Sequence, residues 1–175
     1  EATVGAVRSW LNDLVAACVA SESNVADFVT RMGSMPEVFK PSIAEALGLG
    51  AAFEESGINA EKAGSNYAKV ITLAANNVAG FAKQMGKPKK AIEDLINTNP
   101  TEFFLQFSQS LKGLSGTQLA SVLDSLKLND NEVKQVLGAA SQNTDLFREK
   151  IALAAKAVAD ASSLPDEYIV EPVNL

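Results

Sequence analysis

Residues 46–64, Ala46-Leu47-Gly48-Leu49-Gly50-Ala51-Ala52-Phe53-Glu54-Glu55-Ser56-Gly57-Ile58-Asn59-Ala60-Glu61-Lys62-Ala63-Gly64, decide the fold. They read as a small-residue apolar helix, a glycine stop and the start of a second helix. Ala46, Leu47, Gly50, Ala51 and Ala52 keep the first helix thin, and Phe53 supplies its one bulky contact. Gly57 suits the left-handed residue that ends many helices. Asn59 carries the side-chain oxygen that caps the next one. A stretch built this way lets helices approach closely, and it holds no reactive group.

Upstream, Val4, Val7, Leu11, Leu14 and Cys18 occupy heptad a and d positions, and the register continues through Ser21, Val25, Phe28, Met32 and Met35. Sustained a/d spacing is compatible with a coiled coil. The other reading is one or two amphipathic helices packed on the rest of the domain. Trp10, Val15, Val19 and Val29 widen the stripe in that direction. A break is expected near Ser21–Asn24. Pro36 and Pro41 then punctuate the chain, because an interior proline removes a helix hydrogen bond and clashes with the preceding turn. Ser42 is placed to help start a helix from Ile43 to about Ser56.

Downstream, Ala63, Tyr67, Val70, Ile71, Ala74, Val78, Phe81, Ala82 and Met85 fall on one face of a single helix over 60–85, which Gly86 stops. Pro88 suits the first turn of a short helix carrying Ile92, Leu95 and Ile96. Asn99-Pro100-Thr101-Glu102 has the form of a capping box. It precedes Phe103, Phe104, Phe107 and Leu111, the densest aromatic cluster and the expected anchor of the core. A turn at Gly113–Gly116 leads to a helix marked by Leu119, Val122, Leu123 and Leu126. Asn129 to Glu132 repeat the cap chemistry before Val133, Val136, Leu137 and Ala140. Asn143 opens a last long helix, ended by Ser162, Ser163 and Pro165.

No strand pair is visible. The expectation is an all-α, compact multi-helix bundle of about eight or nine helices. Residues 1–35 form an amphipathic, coiled-coil-like segment, 36–163 a helical globular domain and 164–175 an extended tail. The short helices need the long ones as packing partners, since a few turns alone are unstable in water.

Composition narrows the chemistry. The net charge is −6 with mixed signs along the chain, and no basic patch points to duplex binding. Histidine is absent, which removes the usual neutral-pH proton shuttle and commonest metal ligand. The single Cys18 forms no internal disulfide, and its place in the apolar stripe reads as a structural thiol. One unpaired cysteine fits an intracellular or virion protein better than a secreted disulfide scaffold. No apolar run is long enough to span a bilayer.

Adjacent Glu54 and Glu55 point about 100° apart on a helix, so they read as solvated-face residues and not as a convergent acid pair. Asp124 and Asp130-Asn131-Glu132 lack the ligand alternation and central glycine of a calcium loop. Gly48, Gly50 and Gly57 follow no strand and precede no Gly-Lys-Ser, so they make no phosphate loop. Gly86-Lys87-Pro88-Lys89-Lys90 is a small basic run at a helix start, read as a solvated turn. No serine or threonine sits in a nucleophile elbow. The expectation is no enzyme, with catalytic, cofactor-binding and metal residues all absent.

The opening run resembles a family, the tail tape measure proteins of long-tailed bacteriophages and prophages. Their signature, ALG-x-x-F-x-x-x-GI-x-x-E-x-AG, corresponds here to Ala46-Leu47-Gly48, Phe53, Gly57-Ile58, Glu61 and Ala63-Gly64. Phe81-Ala82-Lys83-Gln84-Met85-Gly86 is similar to the family's F-A-x-x-x-G. Leu123 to Leu128 with Asn129 to Glu132 resembles its L-x-x-L-G-L-x-D-x-E turn. The resemblance covers about residues 24–160. Lys87, Leu128-Asn129 and residues 34–41 depart from it at loops.

The resemblance implies a structural segment of a tape measure protein that acts in tail assembly and length determination. The implied partners are tail tube protein, tail assembly chaperones and other copies of itself, without nucleic acid or membrane. The implied location is the virion tail, and the host bacterial cytoplasm during assembly. The chain opens on Glu1 inside a helix-like pattern, so it is expected to be a piece of a longer protein. A folded bundle is a poor ruler, so the segment is expected to be either a globular end module or a domain that opens when threaded. The alternative is a stand-alone helical adaptor that binds partner helices through the stripe at residues 4–35.

Overall fold

The computed structural model describes Gly5 and residues 22–162. Among these residues nine α-helices follow one another, and there is no strand. They are α1 (Glu22–Gly33), α2 (Ile43–Glu55), α3 (Ala60–Asn76), α4 (Val78–Met85) and α5 (Lys89–Thr98). After these come α6 (Pro100–Ser110), α7 (Gly116–Ser125), α8 (Asn131–Gln142) and α9 (Thr144–Ser162). A single 3-10 turn, Glu37–Phe39, lies between α1 and α2. The fold is an all-α multi-helix bundle.

Helix α2 is its axis. Ser42 starts it with a complete capping box: Ser42 Oγ accepts from Glu45 N (3.1 Å), and the Glu45 carboxylate accepts from Ser42 N (2.9 Å). Every residue from Ala46 to Phe53 is buried. A helix buried on all sides belongs at the centre of a bundle, and α9, α1 and α3 pack around this one. Glycine decides how near they come. A Cβ on Gly48 would sit 2.4 Å from the Ile151 Cα, so the backbone of α9 occupies the space a side chain would take. A Cβ on Gly50 would press the Phe28 ring at 3.2 Å.

Aromatic rings fill the wider gaps. Phe53 is their hub, with its ring centroid 4.8 Å from Phe147, 5.7 Å from Phe28 and 6.1 Å from Phe104. Phe104 passes the contact to Tyr67 at 5.0 Å. Phe81 packs at a tilt against Phe107 (4.8 Å) and Phe103 (5.9 Å). The Tyr67 hydroxyl is buried and shares a 3.1 Å hydrogen bond with Thr101 Oγ1. Burial drives its pKa far above the usual tyrosine range, against the lowering effect of that hydrogen bond.

Three helices end in one way. After α2, Ile58 N donates to Phe53 O (2.9 Å) and Gly57 N to Glu54 O (2.9 Å), with Gly57 at φ +79°. After α4, Lys87 N donates to Ala82 O (3.0 Å) and Gly86 N to Lys83 O (3.2 Å), with Gly86 at φ +64°. After α7, Leu128 N donates to Leu123 O (2.8 Å) and Lys127 N to Asp124 O (3.1 Å). These are Schellman turns, in which a left-handed residue satisfies the last carbonyls. The third places Lys127 at φ +61°, where glycine would be expected.

Several expectations need correction. The single helix over 60–85 is two, because Asn77 (φ −144°, ψ 56°) leaves the helical region between α3 and α4. Its side chain accepts from Gly80 N (3.1 Å) and so caps α4. Pro88 precedes α5 as its N-cap and is not inside its first turn. Phe28, Met32 and Met35 belong to the same core as the helices that follow. Over residues 25–35 the a/d stripe is therefore used within the bundle. The stripe at residues 4–18, with Cys18, and the tail 164–175 lie outside the described residues.

Lys127 supplies a prediction. An L-residue in the left-handed region costs roughly 1–2 kcal/mol, and glycine there gives back part of that in unfolded-chain entropy. Lys127→Gly should stabilise the protein by about 0.5–1 kcal/mol in urea unfolding. A loss of stability would show that the lysine side chain itself holds this turn.

Candidate functional site

Two features among the described residues have the shape of a site. The first is a polar cleft of about 390 Å³ lined by Lys87, Glu102, Gln106, Gln109, Ser110 and Arg148. Glu102 sits in the first turn of α6, where Asn99 Oδ1 caps its backbone N (3.1 Å). The expected capping box is half realised. The Glu102 carboxylate turns away from the cap and takes both arms of the Arg148 guanidinium on α9, at 2.8 and 3.0 Å. Gln106 Nε2 donates to the same carboxylate (3.0 Å), and Lys87 Nζ donates to Gln106 Oε1 (3.0 Å).

Desolvation would raise the Glu102 carboxyl. The hydrogen bonds from Arg148 and Gln106, with the charges of Arg148 and Lys87, together outweigh it and hold the group below its ordinary value. The same pairing raises Arg148. Each charged group in this cleft already has a protein partner. The arrangement ties α6 to α9 as a bidentate clasp, and it aims no nucleophile or base at open space.

The second feature is an apolar groove of about 440 Å³ between the end of α6, α7 and α8. Leu114, Leu119, Leu123 and Leu137 form its walls, and Lys112 and Lys134 stand at its rim. Helix α7 buries only Leu123 of its own residues, so it forms the looser wall.

The residues singled out in the sequence do not converge. Glu54 is less solvated than expected, while Glu55 keeps the exposed position expected of it. Glu55 pairs with Lys150 of α9 at 3.2 Å, and Lys150 is almost wholly buried. Glu54 Oε2 is buried without a hydrogen-bond partner among the described residues. Asp130 caps α8 through Val133 N (2.9 Å) and pairs with Lys69. The hydrogen bond from Lys69 and then that from Val133 N keep its carboxyl below the usual range. Lys87 and Lys90 of the basic run are spent on Gln106 and Asp94. Among the described residues no three His, Cys, Asp or Glu side chains gather as metal ligands, and no helix is long and apolar enough to cross a membrane.

The Glu102–Arg148 clasp was missed in the sequence. The two residues are 46 positions apart, and only an acid at a helix start hinted at one partner. No protein-family model, curated protein or solved structure shows significant similarity to the chain.

The clasp carries a pH signature. A carboxyl with a depressed folded pKa contributes stability that is present above its ordinary value, here 4.5, and is lost as pH falls through the folded value. Glu102→Gln should therefore lower stability at pH 7 and lose less on acidification below pH ~4.5 than the parent protein does. Parallel unfolding-free-energy curves for the two proteins across that range would contradict the assignment.

Proposed function

We propose that this chain is a structural, non-enzymatic segment of a phage or prophage tail tape measure protein that takes part in tail assembly and length determination. The observation that carries the reading is the ordered run from Ala46 to Gly64. Its spacing of small residues, a single phenylalanine, Gly57-Ile58 and Ala63-Gly64 resembles that family.

The physical use of the run is consistent with the reading. Ala46 to Phe53 are spent on burial and close approach, Gly57 on a turn and Asn59 on a cap. None is kept for chemistry. The partners implied are tail tube protein, assembly chaperones and further copies of the chain, and the location implied is the virion tail. Between the two forms such a segment has, the ring network around Phe53 favours a folded end module. Buried aromatic side chains dominate core energetics, so opening this body would be costly. The adaptor reading loses part of its binding surface, because the stripe at residues 25–35 faces its own core.

In the parent phage, an in-frame deletion of residues 22–162 should abolish tails or broaden their length distribution in electron micrographs. Tails shortened by roughly 210 Å, the length of the deleted residues as one helix, would mean that the segment is threaded open. Tails of normal number and length would overturn the proposal.

A further inference from the structure

We propose that the groove between α7 and α8 is a docking site for a short amphipathic helix of a partner protein, one that carries acidic residues beside a row of apolar ones. The groove measures about 440 Å³. Its apolar lining is not fully covered: Leu114 and Leu119 are half-buried and Ala120 is exposed. Glycine keeps the space open from both helices. A Cβ on Gly116, at the start of α7, or on Gly138, inside α8, would meet nothing within 4 Å. Glycine weakens a helix interior, so at Gly138 the opening is kept at a cost to α8 itself.

Charge selects the partner. Lys112 and Lys134 line the groove and no acid does, although the chain has 21 acidic residues against 15 basic ones. Both lysines are exposed. Arg31, Lys40, Lys69, Lys90, Arg148 and Lys150 each find a carboxylate within the fold, whereas Lys112 and Lys134 have none among the described residues. A partner's carboxylates supply what the fold does not, and opposite charge at the edge of an interface favours the right partner over the wrong one. Ser141, which also lines the groove, is only 8% exposed. Its side chain makes no hydrogen bond among the described residues, which leaves a hydroxyl for the ligand.

Dimensions select a helix. The groove follows α8 from Lys134 to Gln142, about 12 Å at about 1.5 Å per residue. Apolar residues at i, i+4 and i+7 of a docked helix span about 10.5 Å, which fits that length. A second folded copy would need about 800 Å² of surface on each side for a stable dimer. A groove about two turns long and one helix wide offers far less.

The test titrates the full chain, with methyl-labelled leucines, with a synthetic alanine-based helical peptide. The peptide carries leucine at i, i+4 and i+7 and glutamate on both flanks of that row. A twin peptide has lysine in place of every glutamate. The acidic peptide should shift the methyl signals of Leu114 and Leu119 saturably and leave those of Leu47 and Leu49 in place. The lysine twin should bind at least about five-fold more weakly, since two exposed charge pairs are lost. Lys112→Glu combined with Lys134→Glu should reverse that order. Gly138→Leu fills the groove and should abolish the shifts. If that leucine disturbs Leu47 and Leu49, the charge reversal on the exposed lysines decides alone. Equal affinity for the two peptides, no saturable shift, or shifts that survive Gly138→Leu in an intact fold would overturn the proposal. So would shifts that follow protein concentration without peptide, which would make the occupant a second copy.

Discussion

The fold depends on a missing side chain. At Gly48 the backbone of α9 lies where a Cβ would be, 2.4 Å from the Ile151 Cα. Ordinary helix pairs keep their axes 8–10 Å apart, with side chains setting the separation. Here glycine lets α9 settle directly on α2. This contact fixes where α9 runs, and with it the position of Phe147 against Phe53, Lys150 against Glu55 and Arg148 against Glu102. A second apolar cluster, which joins Leu47 and Ala51 to Ala154, lies along the same seam.

Close approach by small residues buries little area per residue. The bundle offsets this by concentrating its large side chains: Phe28, Phe53, Phe104, Phe147 and Tyr67 form one connected set of rings, with Phe81, Phe103 and Phe107 as a second. The thin helix and the ring network are therefore two halves of one solution. Alanine and glycine set the spacing, and phenylalanine fills what remains. The polar pairs sit outside this arrangement. Glu102–Arg148 and Lys69–Asp130 are partly solvated ties between helices, the kind that orient elements more than they stabilise them.

Much of this was legible in the residues, because the signals were local. Gly57 and Gly86 announced left-handed turns, and Ser42, Asn59 and Asp130 announced caps. The Phe103–Phe107 cluster announced the core. The failures also have physical causes. Asn77 interrupts a helix whose apolar spacing carries on across the break, and periodicity does not register one residue leaving the helical region. Lys127 takes a left-handed turn that a lysine does not advertise, held there by the buried Leu128 that follows it. The clasp between Glu102 and Arg148 and the tie between Glu55 and Lys150 join distant parts of the chain, so no local pattern could pair them. Of the polar groups singled out, Asp130 serves as a cap and Glu55, Lys87 and Lys90 as ties.

The central claim is that α2 must have no side chain at position 48. It is tested by urea unfolding of Gly48→Ala beside Gly138→Ala. Both glycines lie inside helices, where alanine by itself gains about 1 kcal/mol. At Gly138 an added Cβ meets nothing within 4 Å, so that variant should be more stable by about 0.5–1 kcal/mol. At Gly48 the added carbon meets backbone that cannot swing aside, so Gly48→Ala should be less stable by at least ~2 kcal/mol, as overpacking of a tight core is. If Gly48→Ala is as stable as Gly138→Ala, the two helices are not held by that contact, and this account of the fold is wrong.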